Sequence, residues 1–186
     1  MPGVEDAVLV RRALAGDAAA YGVLVDEHRG RVFSLALRML GDRASAEDVA
    51  SEAFLRAWDA LARYDPARSF ATWVVTIASR LCLDALRRRR WLGDPPREDR
   101  ERAAPGPGPE AAAVASGFAA RVRDAVGLLP ERERMAVMLR HLEDMSYAEV
   151  AAAMRIPIGT AKTLAFQGRR KLAESLRHLD EESEPR

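Results

Sequence analysis

Cysteine occurs once in this chain of 186 residues, and histidine three times. A single cysteine excludes a disulfide framework and a Cys-based zinc site within one chain. Cys82 lies in the apolar run Leu81-Cys82-Leu83 and reads as a buried core thiol. Aromatics supply only 6 % of the residues, and Val/Ile/Thr alternation is missing, so no sheet is expected. No apolar run is long enough to span a membrane, and residues 1–12 hold no long apolar stretch. The expectation is a cytoplasmic protein without membrane insertion. Charge of one sign is also lacking: 29 Lys and Arg face 28 Asp and Glu, for a net charge of +1. Any nucleic-acid affinity must therefore come from local clusters.

What is abundant is helix-forming material. Hydrophobic residues make up 48 % and charged residues 31 %, enough for a buried core, and Ala, Leu, Arg and Glu dominate. An all-α chain is expected. Periodicity starts near Val4 and stops at Gly16, and Asp17 can cap a second helix reaching Leu40. Val25, Val32, Leu35, Ala36 and Met39 form its stripe. Gly41-Asp42 is a stop followed by a cap, and a third helix carries Val49, Ala53, Ala57 and Leu61 on one face. Pro66 breaks the pattern. Ser69 can cap a fourth helix, with Phe70, Val74, Ile77 and Leu81 as its buried face and a basic run, Arg87 to Arg90, at its end.

Prolines and glycines then crowd the stretch from Asp94 to Pro109, which suits an extended linker rather than a core. Helical pattern resumes near Phe118 with Val122, Val126 and Leu129, and Pro130 opens the next helix. Two small helical domains follow, at 1–92 and 116–179, around a linker at 93–115 and before a tail at 180–186.

In the second domain, Ser146 and Glu149 have capping-box spacing. A short helix, the turn Arg155-Ile156-Pro157-Ile158-Gly159, and a new helix from Thr160 make a helix-turn-helix pattern. Thr160, Lys162, Thr163, Phe166 and Gln167 are its exposed candidates, followed by Arg169, Arg170 and Lys171. Such groups read base edges or hold phosphates. An amphipathic helix with a solvated basic end gives the same pattern.

In the first domain, Asp42, Glu47, Asp48, Glu52 and Asp59 make an acidic helix. With no histidine nearby in sequence and no nucleophile, a solvated or protein-docking face fits better than acid–base catalysis. Tyr64, Phe70 and Trp73 lie among Arg63, Arg68, Arg80 and the basic run. Aromatics interleaved with arginine suit single-stranded nucleic acid. Phe70 also shares the core stripe, whereas Trp73 is offset from it. Asp26-Glu27-His28 has ligand-like residue types, but a lone histidine on a long helix is better read as structural. No metal, cofactor or catalytic group is expected.

Taken together, these motifs resemble the extracytoplasmic-function (ECF) sigma factors of bacterial RNA polymerase. Gly41-Asp42-Arg43-Ala44-Ser45-Ala46-Glu47-Asp48-Val49, then Glu52-Ala53-Phe54, is similar to region 2.2. Tyr64-Asp65, Phe70-Ala71-Thr72-Trp73, Ile77-Ala78 and Asp84-Ala85-Leu86-Arg87-Arg88 are similar to regions 2.3 and 2.4. Leu129-Pro130, Arg140-His141-Leu142-Glu143, Ser146 to Ala151 and Ile156 to Lys162 are similar to region 4. The likeness covers about residues 17–91 and 118–175, in family order.

The resemblance implies a non-enzymatic subunit that directs core polymerase to promoters. It implies docking of Glu47, Asp48, Ser51, Glu52 and Arg56 on the β′ clamp helices, with further contact to the β subunit. It implies opening of the −10 element and capture of a flipped base by Arg63, Tyr64, Arg68, Trp73, Thr76, Arg80, Arg87 and Arg88. Duplex −35 DNA would be read through Thr160, Lys162, Thr163, Phe166, Gln167, Arg169 and Arg170. The linker would thread towards the RNA exit path, and an anti-sigma factor would be a further partner. Ser51 departs from the usual family residue with little effect implied on core binding, whereas the departures at Thr76, Arg80, Leu164 and Gln167 imply an unconventional promoter preference and weaker phosphate anchoring. Two other readings stay open on pattern alone: a stand-alone dimeric helix-turn-helix regulator, and a helical enzyme using Glu47, Asp48 and Glu52.

Overall fold

Asp17 accepts from the Ala20 amide at 3.1 Å and is clasped by Arg12 at 2.7 Å, so the turn between the first two helices is set by one carboxylate. These helices are α1 (Pro2–Leu14) and α2 (Ala18–Leu40). At Gly41 the chain turns left-handed, with φ of 74°, which glycine adopts without steric cost. Asp42 then caps α3 (Arg43–Asp59) by accepting from the Ser45 amide at 2.8 Å. Leu61–Arg63 form a 3-10 turn, and α4 spans Phe70–Trp91. The second group contains helical residues at 121–122 and 124–127, then α5 (Glu131–His141), α6 (Tyr147–Met154) and α7 (Ile158–Glu181).

This computed structural model describes residues 2–65, 68–93, 121–122 and 124–181, and no strand occurs among them. The expected linker beyond Gly93, the Phe118 start of the second domain and residues 182–186 lie outside the described residues. Helix α7 runs through Asp180 and Glu181, two residues into the expected tail.

The chain divides into two units, Met1–Pro96 and Arg97–Arg186. In the first, α2 is central and packs on α1, α3 and α4, while α3 also packs on α4. Leu24, Val32, Leu35, Ala36 and Met39 are at most 1 % exposed. Each such large aliphatic side chain contributes about 1.5–3 kcal/mol of transfer free energy. In the second, α7 packs on both α5 and α6 around Met135, Met138, Leu139, Met145 and Val150.

Some expected core positions are displaced. Val25 is half-buried, and Leu24 and His28 take the inward positions on α2. Leu61 is buried as expected, but on the 3-10 turn rather than on α3. On α4, Phe70 and Val74 are buried while Ile77 and Leu81 are only half-buried. The buried face instead centres on Ala71, Val75, Ala78, Cys82 and Leu86. Small residues there let α4 sit close to α2 and α3, and that closeness selects the phase. Ser79 fits this face because its hydroxyl donates to the Val75 carbonyl at 2.7 Å. Cys82 is fully buried, which pushes its thiol up to about 12, so it is an inert core residue. Ser69 occupies the cap position of α4 but makes no capping side-chain bond.

Candidate polymerase-facing and DNA-facing surfaces

Helix α3 buries Ala46, Val49, Ala50, Ala53, Phe54 and Ala57, which leaves the opposite face for other work. That face carries Glu47, Asp48 and Ser51, all exposed, with half-buried Glu52 beside them. Glu47 pairs with Arg43 at 2.8 Å and Glu52 with Arg56 at 2.7 Å. Exposed pairs of this kind contribute only about 0.3–0.5 kcal/mol, so they can be exchanged for a partner's charges at little cost. Leu55 and Trp58, 63 % and 40 % exposed, lie on the same face. The candidate set from the sequence includes neither, because it is drawn from charged and polar residues. Their spacing from Ser51, four and then three residues, is the signal that places them outside. Tyr21 holds Trp58 edge-on at 4.7 Å and donates its hydroxyl to the Phe54 carbonyl at 2.5 Å. Burial, with Asp59 nearby, pushes that phenol up to about 12, so it stays a donor at physiological pH.

The loop before α4 rests on an aromatic cluster. Tyr64 lies 5.8 Å from Phe70 and 5.0 Å from Trp73, and Phe70 lies 5.7 Å from Trp73. Below it, His28 sits 5.4 Å from Phe70 and bonds through Nε2 to Asp6 at 3.2 Å. Asp6, rather than the neighbouring Asp26, is therefore the carboxylate that His28 meets. Asp6, Glu27 and His28 bring donor atoms within 4.8 Å of one another, and the hydrogen bond accounts for the buried pair.

Tyr64 is only 9 % exposed, and its hydroxyl donates to the Arg68 carbonyl. Burial first, then Asp6 and Asp65, raises its pKa. Its position shapes the loop rather than presenting a ring to a ligand, which revises its expected role as a DNA contact. Phe70 is fully buried and belongs to the core. Arg63 and Arg68 are exposed, and Trp73, Thr76 and Arg80 are half-buried. The Thr76 hydroxyl donates to the Thr72 carbonyl at 2.9 Å. Arg87 reaches Asp84 at 2.7 Å, and Arg88 is exposed. Arg89 is different, because it turns inward to Leu40, Asp42 and Ser45.

In the second unit, both halves of the capping box form: the Ser146 amide donates to Glu149 Oε2 at 2.8 Å, and the Glu149 amide to Ser146 Oγ at 3.3 Å. Arg155 ends α6 in a left-handed conformation. Helix α7 then faces inward through Ala161, Ala165 and Gly168. Thr160, Lys162, Thr163, Phe166, Gln167, Arg169 and Arg170 are all exposed. Five of these, Lys162, Thr163, Phe166, Gln167 and Arg170, line one shallow groove of about 360 Å³. The Thr163 hydroxyl donates to the Gly159 carbonyl at 3.0 Å, which leaves it as an acceptor towards a ligand.

The comparisons with known proteins match this division. The family model for sigma-70 region 2 matches residues 24–92, and that for sigma-70 region 4 matches residues 119–172. The chain is 31 % identical to the ECF RNA polymerase sigma factor SigW of Bacillus subtilis, over 91 % of this chain and 96 % of that one. It belongs to the ECF sigma factors. A second relative, the ECF sigma-E factor of Escherichia coli, is 32 % identical over 94 % of this chain and 95 % of its own length. The solved structure of CnrH in complex with the cytosolic domain of CnrY matches this sigma factor with a TM-score of 0.65 and 26 % identity, covering 94 % and 98 % of the two chains.

Sigma factors are transcription initiation factors rather than enzymes, so the carboxylates of α3 need no catalytic reading. A stand-alone helix-turn-helix regulator would account for the second match alone. The region 2 match over 24–92 decides against it. No described helix of this sigma factor is long and apolar enough to cross a membrane.

Proposed function

We propose that this sigma factor divides promoter recognition among three surfaces. The α3 face carrying Glu47, Asp48, Ser51, Glu52 and Arg56 docks on the β′ clamp helices of core polymerase, with Leu55 and Trp58 as its apolar centre. Arg63, Arg68, Trp73, Thr76, Arg80, Arg87 and Arg88 meet the opened −10 strand, over a loop that Tyr64 supports from within. Helix α7 enters the −35 major groove with Thr160, Lys162, Thr163, Phe166 and Gln167 towards the bases, and Arg169 and Arg170 towards phosphates. The observation that carries this reading is the outward stripe of Leu55 and Trp58 flanked by acidic residues, since adjoining exposed apolar side chains with a polar rim mark a contact surface. The CnrH relative was solved with CnrY bound, and a regulatory protein that covers these faces is part of the same proposal.

Binding to core polymerase tests the docking face. Leu55→Asp and Glu52→Lys should each weaken core affinity tenfold or more, roughly the scale of an interface anchor, with helix content unchanged. Unchanged core affinity in both variants would show that α3 is not the interface.

A further inference from the structure

One face of helix α4 is half-buried from Trp73 to Asp84 and opens to solvent at Arg87 and Trp91. Trp73 and Trp91 are five helical turns apart and so share an azimuth, separated by about 27 Å. Thr76, Arg80 and Arg87 lie between them on that face. The two ends differ. Trp73 is half-buried against Tyr64 and Phe70, so little of its ring is available to a ligand. Trp91 is 85 % exposed. Tyr64 and Phe70, the other aromatics expected to stack on bases, are inside the protein. Trp91 is thus the one ring among the arginines of α4 with a broadly open face.

Asp84, Arg87, Arg88 and Trp91 line a shallow groove of about 350 Å³. Asp84 accepts from Arg87 at 2.7 Å and steadies that guanidinium along the helix. A solvent-facing indole marks a contact surface, and its neighbours select the partner. Cations three and four residues before the ring suit phosphates, while the flat indole suits an unstacked base. Duplex DNA offers the phosphates but keeps its base faces stacked. An apolar protein partner would bury the Arg88 guanidinium and the Arg87–Asp84 pair away from water, which costs more than it returns.

We infer that Trp91, with Arg87 and Arg88, forms a stacking site for an unpaired nucleobase of promoter DNA, at the far end of the stripe that begins at Trp73. The inference rests on the proposed −10 role of α4. Holoenzyme binding to two probes tests it: a fork-junction fragment of a promoter mapped by run-off sequencing, with its −10 non-template strand unpaired, and the same fragment fully paired. Trp91→Ala should weaken fork binding roughly tenfold, the scale of one lost base stack, and leave binding to the paired fragment unchanged. Trp91→Phe should restore most of the loss. Salt dependence should stay the same for Trp91→Ala and fall by about one unit of slope for Arg88→Ala. Fork binding unaffected by Trp91→Ala, or reduced equally on both probes, would overturn the stacking site. If Arg87→Ala and Arg88→Ala also leave fork binding unchanged, the −10 role of α4 itself fails.

Discussion

Arg89 Nη2 donates to Asp42 Oδ2 at 2.5 Å, so the end of α4 is tied to the cap of α3. The same guanidinium reaches Ser45 Oγ at 2.6 Å and the Leu40 carbonyl at 3.0 Å. One side chain thus closes the corner where α2, α3 and α4 meet. Arg89→Ala should cost about 2 kcal/mol, because it removes the charged donor shared by a part-buried carboxylate and a carbonyl. Arg89→Lys should recover only part of that, since an ammonium cannot reproduce the planar fork. Denaturant unfolding of the full chain checks this, and a midpoint unchanged in Arg89→Ala would contradict it.

The same corner sets a pH dependence. Burial alone would raise the Asp42 pKa, but the Ser45 amide, the Ser45 hydroxyl and Arg89 together hold it below the usual carboxylate value. A lowered folded-state pKa means the carboxylate stabilises the fold above its unfolded value of ~3.9, and that this is lost as pH falls through the folded value. The stability difference between the native chain and Asp42→Asn should therefore shrink on acidification below about pH 4. Urea midpoints measured from pH 6 to pH 2.5 read this directly, and a constant difference would refute the assignment.

Gly168 fixes the crossing of α5 and α7. A Cβ there would stand 2.6 Å from Val137 Cγ2 and 3.2 Å from the Glu133 carbonyl oxygen. Gly168→Val should overpack this contact at a cost of about 1–3 kcal/mol and displace the exposed face of α7. Weaker binding to −35 duplex DNA, together with a lower unfolding midpoint, is the expected pair of results. Native values of both would remove the crossing from the account.

Three residues beyond Gly168 on α7, Lys171 reaches back to Glu133 Oε1 at 2.8 Å. Glu133 is 8 % exposed, and its other oxygen, Oε2, is buried without a hydrogen-bond partner among the described residues. Lys171→Met should therefore destabilise by roughly 1–2 kcal/mol, a figure held down because Lys171 is partly exposed. The double variant Glu133→Leu with Lys171→Met should recover most of the loss, since it also removes the carboxylate that the single variant leaves unpaired. A double variant less stable than Lys171→Met would show that the ion pair contributes more than its replacement.

Features written in local chemistry were legible in the sequence. Asp17, Asp42 and the Ser146–Glu149 box cap their helices as the residue types and spacing require. The exposed residues of α7 follow from a phase set by Ala161 and Ala165. What stayed hidden depends on packing between helices. Periodicity gives the repeat of α4 but not which of two adjacent stripes goes inward, so it points to Ile77 and Leu81 where the fold buries Val75 and Ala78. Leu55, Trp58 and Trp91 are apolar yet outside, and Tyr64 and Phe70 sit within an arginine-rich segment yet inside. Residue type alone assigns all five to the wrong side or leaves them ambiguous. Arg89 belongs to a run of four arginines and is set apart only by the corner it fills.

As a sigma factor, this chain makes core RNA polymerase initiate at particular promoters. Core enzyme, the purified full chain and fragmented genomic DNA, followed by sequencing of the run-off transcripts, test it most directly. The expected result is a small set of start sites absent with core enzyme alone, sharing −35 and −10 elements at a fixed spacing, and lost with Leu55→Asp. Initiation no greater than with core enzyme alone would contradict it.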